Sequence, residues 1–218
     1  MARLQPKEPV SGFTHLAGFI LSLAGLCVLI YVAISRGTPW HVVSFSIFGS
    51  SLILLYAASS LYHLLSVSER ATKILRHVDH MMIYLLIAGS YTPLCLIPLR
   101  GAWGWSLLAL IWVSAIAGIS VNACSLPVPR WLYTAIYGLM GWLIVVALRP
   151  LLHTMSIRGF MWLLVGGLFY TVGAVFYALK WPKLKPGRFG FHELWHLFVM
   201  AGSFSHYWMM LRYVAVLP

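Results

Sequence analysis

Seven long apolar stretches, separated by short polar breaks, dominate the pattern of this chain. A helix needs about 20 mainly apolar residues to cross the hydrocarbon core of a bilayer. Five of the six breaks contain proline or glycine residues, which end helices. The pattern therefore predicts one domain over residues 1–218, an all-α membrane protein built as a seven-transmembrane-helix bundle. Its predicted spans are residues 14–35, 41–65, 78–99, 102–121, 131–148, 160–179 and 191–211.

The break between the second and third stretches carries a helix-start signal. Ser66-Val67-Ser68-Glu69 has the spacing of a capping box, in which a serine and a glutamate three positions later bind each other's backbone amides. This signal predicts a short interfacial helix over residues 70–76, ahead of the third span.

Composition narrows the class of protein. Hydrophobic residues make up 61% of the chain and charged residues 9%, whereas a soluble domain has about 25% charged residues. The chain is too apolar to cover a water-facing surface. Its formal net charge of +11 would suit nucleic acid, but the basic residues lie between the apolar stretches. There they indicate membrane topology and contacts with lipid headgroups, so no nucleic-acid partner is predicted.

The same basic residues predict the orientation of the chain. Ten of the fifteen lysine and arginine residues lie at the N-terminus or after the second, fourth and sixth stretches. Basic residues are enriched on the cytoplasmic side of a membrane. We therefore expect a cytoplasmic N-terminus and, after seven crossings, a C-terminus outside.

The order of the spans also sorts the histidines by depth. The ends of even spans and the starts of odd spans lie on one side of the membrane, which places His63, Asp79, His192 and His196 together, with His15 near them. His77 and His80, at the start of the third span, fall on that side too, whereas His41, His153 and His206 fall on the opposite side, about 30 Å away across the core.

His192 and His196 are four positions apart, so on a helix they lie on one face and can aim two imidazoles at one metal ion. With Glu193 they match H-E-x-x-H, in which the glutamate acts as general base in zinc proteases. Glu193 is rotated by about 100° from His192 around the helix, so we do not assign it as the base. Ionisable groups inside a span are costly and indicate a functional site.

Asp79 is the only other acidic residue within a span. An unpaired carboxylate there is costly, so it should face a cavity, a metal or a cation; the alternative is an interfacial pair with Arg70 or Arg76. Ser59 shares a helix face with His63; the alternatives are a serine bonded to its own backbone and a histidine at the membrane interface.

These residues resemble the progestin and adipoQ receptor (PAQR) family, specifically its bacterial haemolysin III branch. The matching pieces are Ser59-x-x-x-His63, Asp79 within Arg76-His77-Val78-Asp79-His80, residues 87–93 (IAGSYTP) and His192-x-x-x-His196. The resemblance covers the chain from about Glu8 onward. It implies a zinc ion on His63, His192 and His196, with Asp79 and Ser59 holding a zinc-bound water, in a bacterial plasma membrane.

Three functions follow as hypotheses. The first is a zinc-dependent, ceramidase-like hydrolase of lipid amides or esters near the cytoplasmic leaflet, with Asp79 taking a proton and membrane lipids as substrate. The second is a non-enzymatic sensor or regulator of membrane fluidity with structural zinc. The third is a pore-forming cytolysin, against which the one-sided placement of the polar residues counts. The sequence leaves the substrate, the roles of His15 and Glu193 and a homo-oligomeric state open.

Overall fold

Helices account for every long apolar stretch of the chain. The computed structural model describes residues 7–124, 129–182 and 189–218, and these contain no β-strand. The fifth stretch is divided by a 3-10 turn, Leu143–Ala147, and the last helix continues as the π-helical Met210–Val214. The helices are α1 Pro9–Arg36, α2 Pro39–Leu64, α3 Glu69–Leu96, α4 Ala102–Ala123, α5 Arg130–Trp142, α6 Leu148–Thr154, α7 Ile157–Leu179 and α8 Phe191–Met209.

This architecture confirms the predicted all-α membrane fold with seven spans, α5 and α6 together forming the fifth. Five helical segments of the described chain are long and apolar enough to cross a membrane. The other two spans, α3 and α8, are less apolar because they carry the ionisable residues of the candidate site. The orientation of the termini stays a prediction.

The third helix begins earlier than predicted. Ser68, rather than Ser66, caps it by accepting a hydrogen bond from the Ala71 amide at 3.3 Å, and the helix runs unbroken from Glu69. The prediction of a separate interfacial helix over 70–76 is therefore wrong. The helix is continuous because no proline or glycine interrupts the backbone there. His77 lies inside this helix, and its Nδ1 is 2.8 Å from Oδ1 of the buried Asn122 in α4.

A tyrosine from α3 explains the interruption of the fifth span. The Tyr91 hydroxyl lies 2.9 Å from the carbonyl oxygen of Met140 and 2.8 Å from that of Gly141, and it accepts the amide of Ile144 at 2.8 Å. A side chain inserted into the backbone ladder breaks the regular hydrogen bonds of an α-helix. The helix therefore tightens into the 3-10 turn at Leu143–Ala147 before α6 begins.

The helices form a closed ring in which α1 packs on α2, α2 on α3, α3 on α5, α5 on α7, α7 on α8 and α8 on α1, with α4 against α3. The most buried of the five apolar spans is α2. Its middle is packed with apolar side chains, among them Phe45, Phe48 and Leu52. The ring brings the C-terminal end of α2 beside the N-terminal ends of α1 and α8, where the candidate site lies.

Candidate metal centre

Three imidazoles meet where α2 ends and α8 begins. One ring nitrogen from each of His63, His192 and His196 lies within 4.8 Å of the others. The ring centroid of His63 is 5.0 Å from that of His192 and 4.9 Å from that of His196. His63 and His196 are buried, whereas the side chain of His192 is 28% exposed. The structure thus brings the three predicted histidines together around one point.

A fourth residue of the site, Glu8, was absent from the sequence-based prediction. Its Oε2 lies 2.8 Å from Nδ1 of His63 and 3.2 Å from Nδ1 of His192. The adjacent imidazoles of His192 and His63 hold the pKa of the Glu8 carboxyl well below its usual range. The available signal was an acidic residue directly before the first span, on the same predicted side as the histidines.

The first turns of α1 also contact His196. Its Nδ1 lies 3.2 Å from the carbonyl oxygen of Ser11, and its ring stacks on that of His15 with centroids 3.8 Å apart. His15 is buried, and neither of its ring nitrogens has a hydrogen-bond partner among the described residues. His15 therefore packs against a member of the cluster through its ring face.

Asp79 lies half-buried on α3, and the groups that act on its carboxylate include His63, His192 and the Ser59 hydroxyl. It forms no ion pair with Arg70 or Arg76, both of which lie in the described part of the chain. The alternative of an interfacial pair with an arginine is therefore wrong. Ser59 is buried one turn before His63, on the side of α2 that faces α3.

Glu193 caps the helix that carries two of the histidines. Its Oε2 accepts the backbone amide of Gly190 at 2.8 Å, and its Oε1 lies 3.4 Å from the Ser11 hydroxyl. This capping role starts α8 in the register that presents His192 and His196 to His63. The basic loop that precedes α8, residues 183–188, lies outside the described residues.

The three histidines predicted for the opposite side of the membrane do not join the cluster. His41 begins α2, roughly 33 Å along that helix from His63, given a rise of about 1.5 Å per residue. His153 is exposed at the end of α6. His206 lies only about 15 Å along α8 from His196. The predicted separation of about 30 Å across the core is therefore too large for this residue. Its ring packs on Tyr170 in the middle of α7.

The donor set suits a divalent metal ion. Imidazole nitrogens at this spacing are typical ligands of zinc. Nε2 of His63 is buried and has no hydrogen-bond partner among the described residues, which is costly unless something binds it. The fold and this cluster together define a helical membrane protein with a partly buried cluster of three histidines at one end of its bundle.

Comparison with known proteins agrees with this class. The chain matches the family described as "Haemolysin-III related" over residues 4–207. It therefore belongs to that family, and the resemblance found in the sequence is confirmed.

Individual relatives cover nearly the whole chain. "Hemolysin-3" of Bacillus cereus is 43% identical over 216 residues, 98% of this chain and 94% of the relative. "Hemolysin-3 homolog" of Bacillus subtilis (strain 168) is 40% identical over 213 residues, 97% and 96% of the two chains. The human "Monocyte to macrophage differentiation factor" is 27% identical over 184 residues, 80% of this chain and 72% of the relative.

Proposed function

We propose that this protein is a zinc-dependent hydrolase of lipid amides or esters, with its site near the cytoplasmic leaflet of a bacterial plasma membrane. The observation that carries the proposal is the convergence of His63, His192 and His196 on one point, and Asp79 lies on the neighbouring helix α3. Three imidazoles leave one zinc coordination position open, which is the arrangement of catalytic rather than closed structural sites.

Zinc at this point would lower the pKa of a bound water to about 7 and polarise a substrate carbonyl. The protein's own part is to hold and move protons. The Asp79 carboxylate would accept the proton released when water attacks, and the Ser59 hydroxyl would steady that carboxylate. Asp79 then returns the proton to the departing amine or alcohol.

The surroundings of the cluster favour a substrate with hydrocarbon chains. Leu61 and Leu197 flank the site on α2 and α8 and are 47% and 39% exposed on the outer surface of the bundle. In a bilayer these side chains face lipid tails. His192 is the most exposed of the three imidazoles, so a lipid can approach the cluster from its side.

One observation favours a competing function. The cluster joins the N-terminal end of α1 to α2 and α8, which are far apart in the chain. A metal here would cross-link the bundle and could contribute roughly 10 kcal/mol or more to its stability. In that case the protein would be a non-enzymatic sensor or regulator of membrane state with structural zinc.

The decisive experiment compares Asp79→Ala with wild type, purified in detergent and supplied with a total lipid extract. We expect Asp79→Ala to retain zinc by elemental analysis while its turnover falls about 10²- to 10⁴-fold, because a general base is removed. Glu69→Ala is the matched control: it removes a carboxylate from the exposed start of the same helix, and should change neither quantity.

Two results would contradict the proposal. Full turnover in Asp79→Ala would exclude Asp79 as the proton acceptor. A wild type that contains zinc and loses thermal stability on chelation, yet yields no lipid product, would establish the structural alternative instead.

A further inference from the structure

We propose that Glu8 is a positioning residue of the metal centre, which orients two histidine ligands from outside their coordination. The inference rests on the proposed metal site and adds to it a residue from the segment that precedes the first span. Glu8 directly precedes α1, and its side chain turns back to lie against α2 and α8.

A single carboxylate oxygen serves both imidazoles. Oε2 of Glu8 lies 2.8 Å from Nδ1 of His63 and 3.2 Å from Nδ1 of His192. A carboxylate can only accept, so contacts this short favour the ring form in which Nδ1 carries the proton and Nε2 keeps its lone pair. Glu8 thereby selects the ring form of both residues that can bind a metal through Nε2.

The backbone of the same segment serves the third imidazole. Nδ1 of His196 lies 3.2 Å from the carbonyl oxygen of Ser11, which also can only accept. All three histidines therefore have Nδ1 occupied by a group between residues 8 and 11. The buried Nε2 of His63, without a partner among the described residues, is the atom that this arrangement leaves for the metal.

The segment is itself held in place. The backbone amides of Lys7 and Glu8 lie 3.1 and 3.4 Å from the carbonyl oxygen of His63. The Lys7 ammonium donates to the Thr72 hydroxyl at 2.9 Å. The carboxylate also sits at the N-terminus of α1, where the helix dipole favours negative charge. Its position is thus set by the backbone, which a positioning group requires.

Groups that orient metal-bound imidazoles in this way typically contribute 10- to 100-fold to metal affinity. The test is the zinc affinity of the full-length protein, measured by competition with a fluorescent chelator. It compares wild type with Glu8→Ala, Glu8→Gln and Glu69→Ala. We expect Glu8→Ala to bind zinc about 10- to 100-fold more weakly. Glu8→Gln keeps an acceptor oxygen without the charge and should lose less, and Glu69→Ala should match wild type.

The spectrum of bound cobalt(II) separates positioning from general stability. We expect the cobalt bands to shift in Glu8→Ala, since His63 and His192 lose their orientation, and to be unchanged in Glu69→Ala. Should Glu8→Ala fail to fold, Glu8→Gln decides the question by the same two readouts.

Two outcomes would overturn the inference. If both Glu8 variants bind zinc as tightly as wild type, with an unchanged cobalt spectrum, while His192→Ala/His196→Ala loses the metal, Glu8 has no positioning role and the metal site stands. If wild type itself binds no zinc, the proposed function and this inference fail together.

Discussion

Histidines lie near both ends of this bundle, but their ring nitrogens have different partners. At the start of α2, His41 is fully buried and both its nitrogens are satisfied: Nδ1 accepts the Thr38 amide at 3.1 Å, and Nε2 lies 3.3 Å from the Val214 carbonyl oxygen. At the other end of the same helix, His63 has its Nδ1 2.8 Å from Oε2 of Glu8 and a buried Nε2 without a partner among the described residues.

The difference distinguishes a structural histidine from a candidate ligand. His41 uses its ring to cap α2 and to tie it to the end of the last helix, which leaves no lone pair for a ligand. His63 retains one, and its ring belongs to a cluster with two further imidazoles. Residue type and burial are the same in both cases, so the hydrogen-bond partners carry the information.

The largest expected effect is on metal content. Wild type should carry about one zinc per chain, and His192→Ala/His196→Ala should carry almost none, because two of three ligands are lost. His41→Ala should keep its zinc. Elemental analysis of detergent-purified protein measures the zinc content of all three. Equal zinc in wild type and the double variant would show that the clustered histidines are not metal ligands and do not differ from His41 in this respect.

A medium effect is expected on stability at the far end. His41→Ala should lower the free energy of unfolding by about 2–4 kcal/mol, because it empties a buried site and leaves the Thr38 amide and the Val214 carbonyl without their partner. Thermal unfolding should show this loss equally with and without a chelator. A loss that disappears when metal is removed would mean that His41 acts through the metal centre.

The smallest effect is expected for His153, which is exposed at the end of α6. His153→Ala should change the free energy of unfolding by less than about 0.5 kcal/mol, since surface substitutions away from special features rarely do more. Its zinc content should equal that of wild type. A larger change in either quantity would show that His153, although exposed, has a structural role like that of His41 or a metal-binding role like that of His63.

Much of this protein could be predicted from local patterns. The seven spans follow from apolar length alone, because the bilayer demands about 20 apolar residues whatever the neighbours are. The shared depth of His63, Asp79, His192 and His196 follows from counting crossings. The i, i+4 spacing of His192 and His196 follows from helix geometry. None of these steps requires knowledge of which helices touch.

Other features depended on contacts between distant segments. The start of α3 was predicted wrongly because residues 70–76 can form either a separate short helix or the first turns of a longer one. Only the backbone of the folded chain shows that the helix is uninterrupted. The 3-10 turn in the fifth span results from Tyr91, a residue on another helix. His206 was placed too far away because span order gives only the half of the membrane, not the depth within it.

The amino-acid order is enough for the membrane class, the seven spans and the candidate ligands, since hydrophobic length and helical spacing act within a few turns. The ring of helices alone determines that Glu8 and the Ser11 carbonyl occupy Nδ1 of every clustered imidazole. The physical reason is range: a hydrogen bond acts over about 3 Å, so its partner across the chain is known only once the helices have packed.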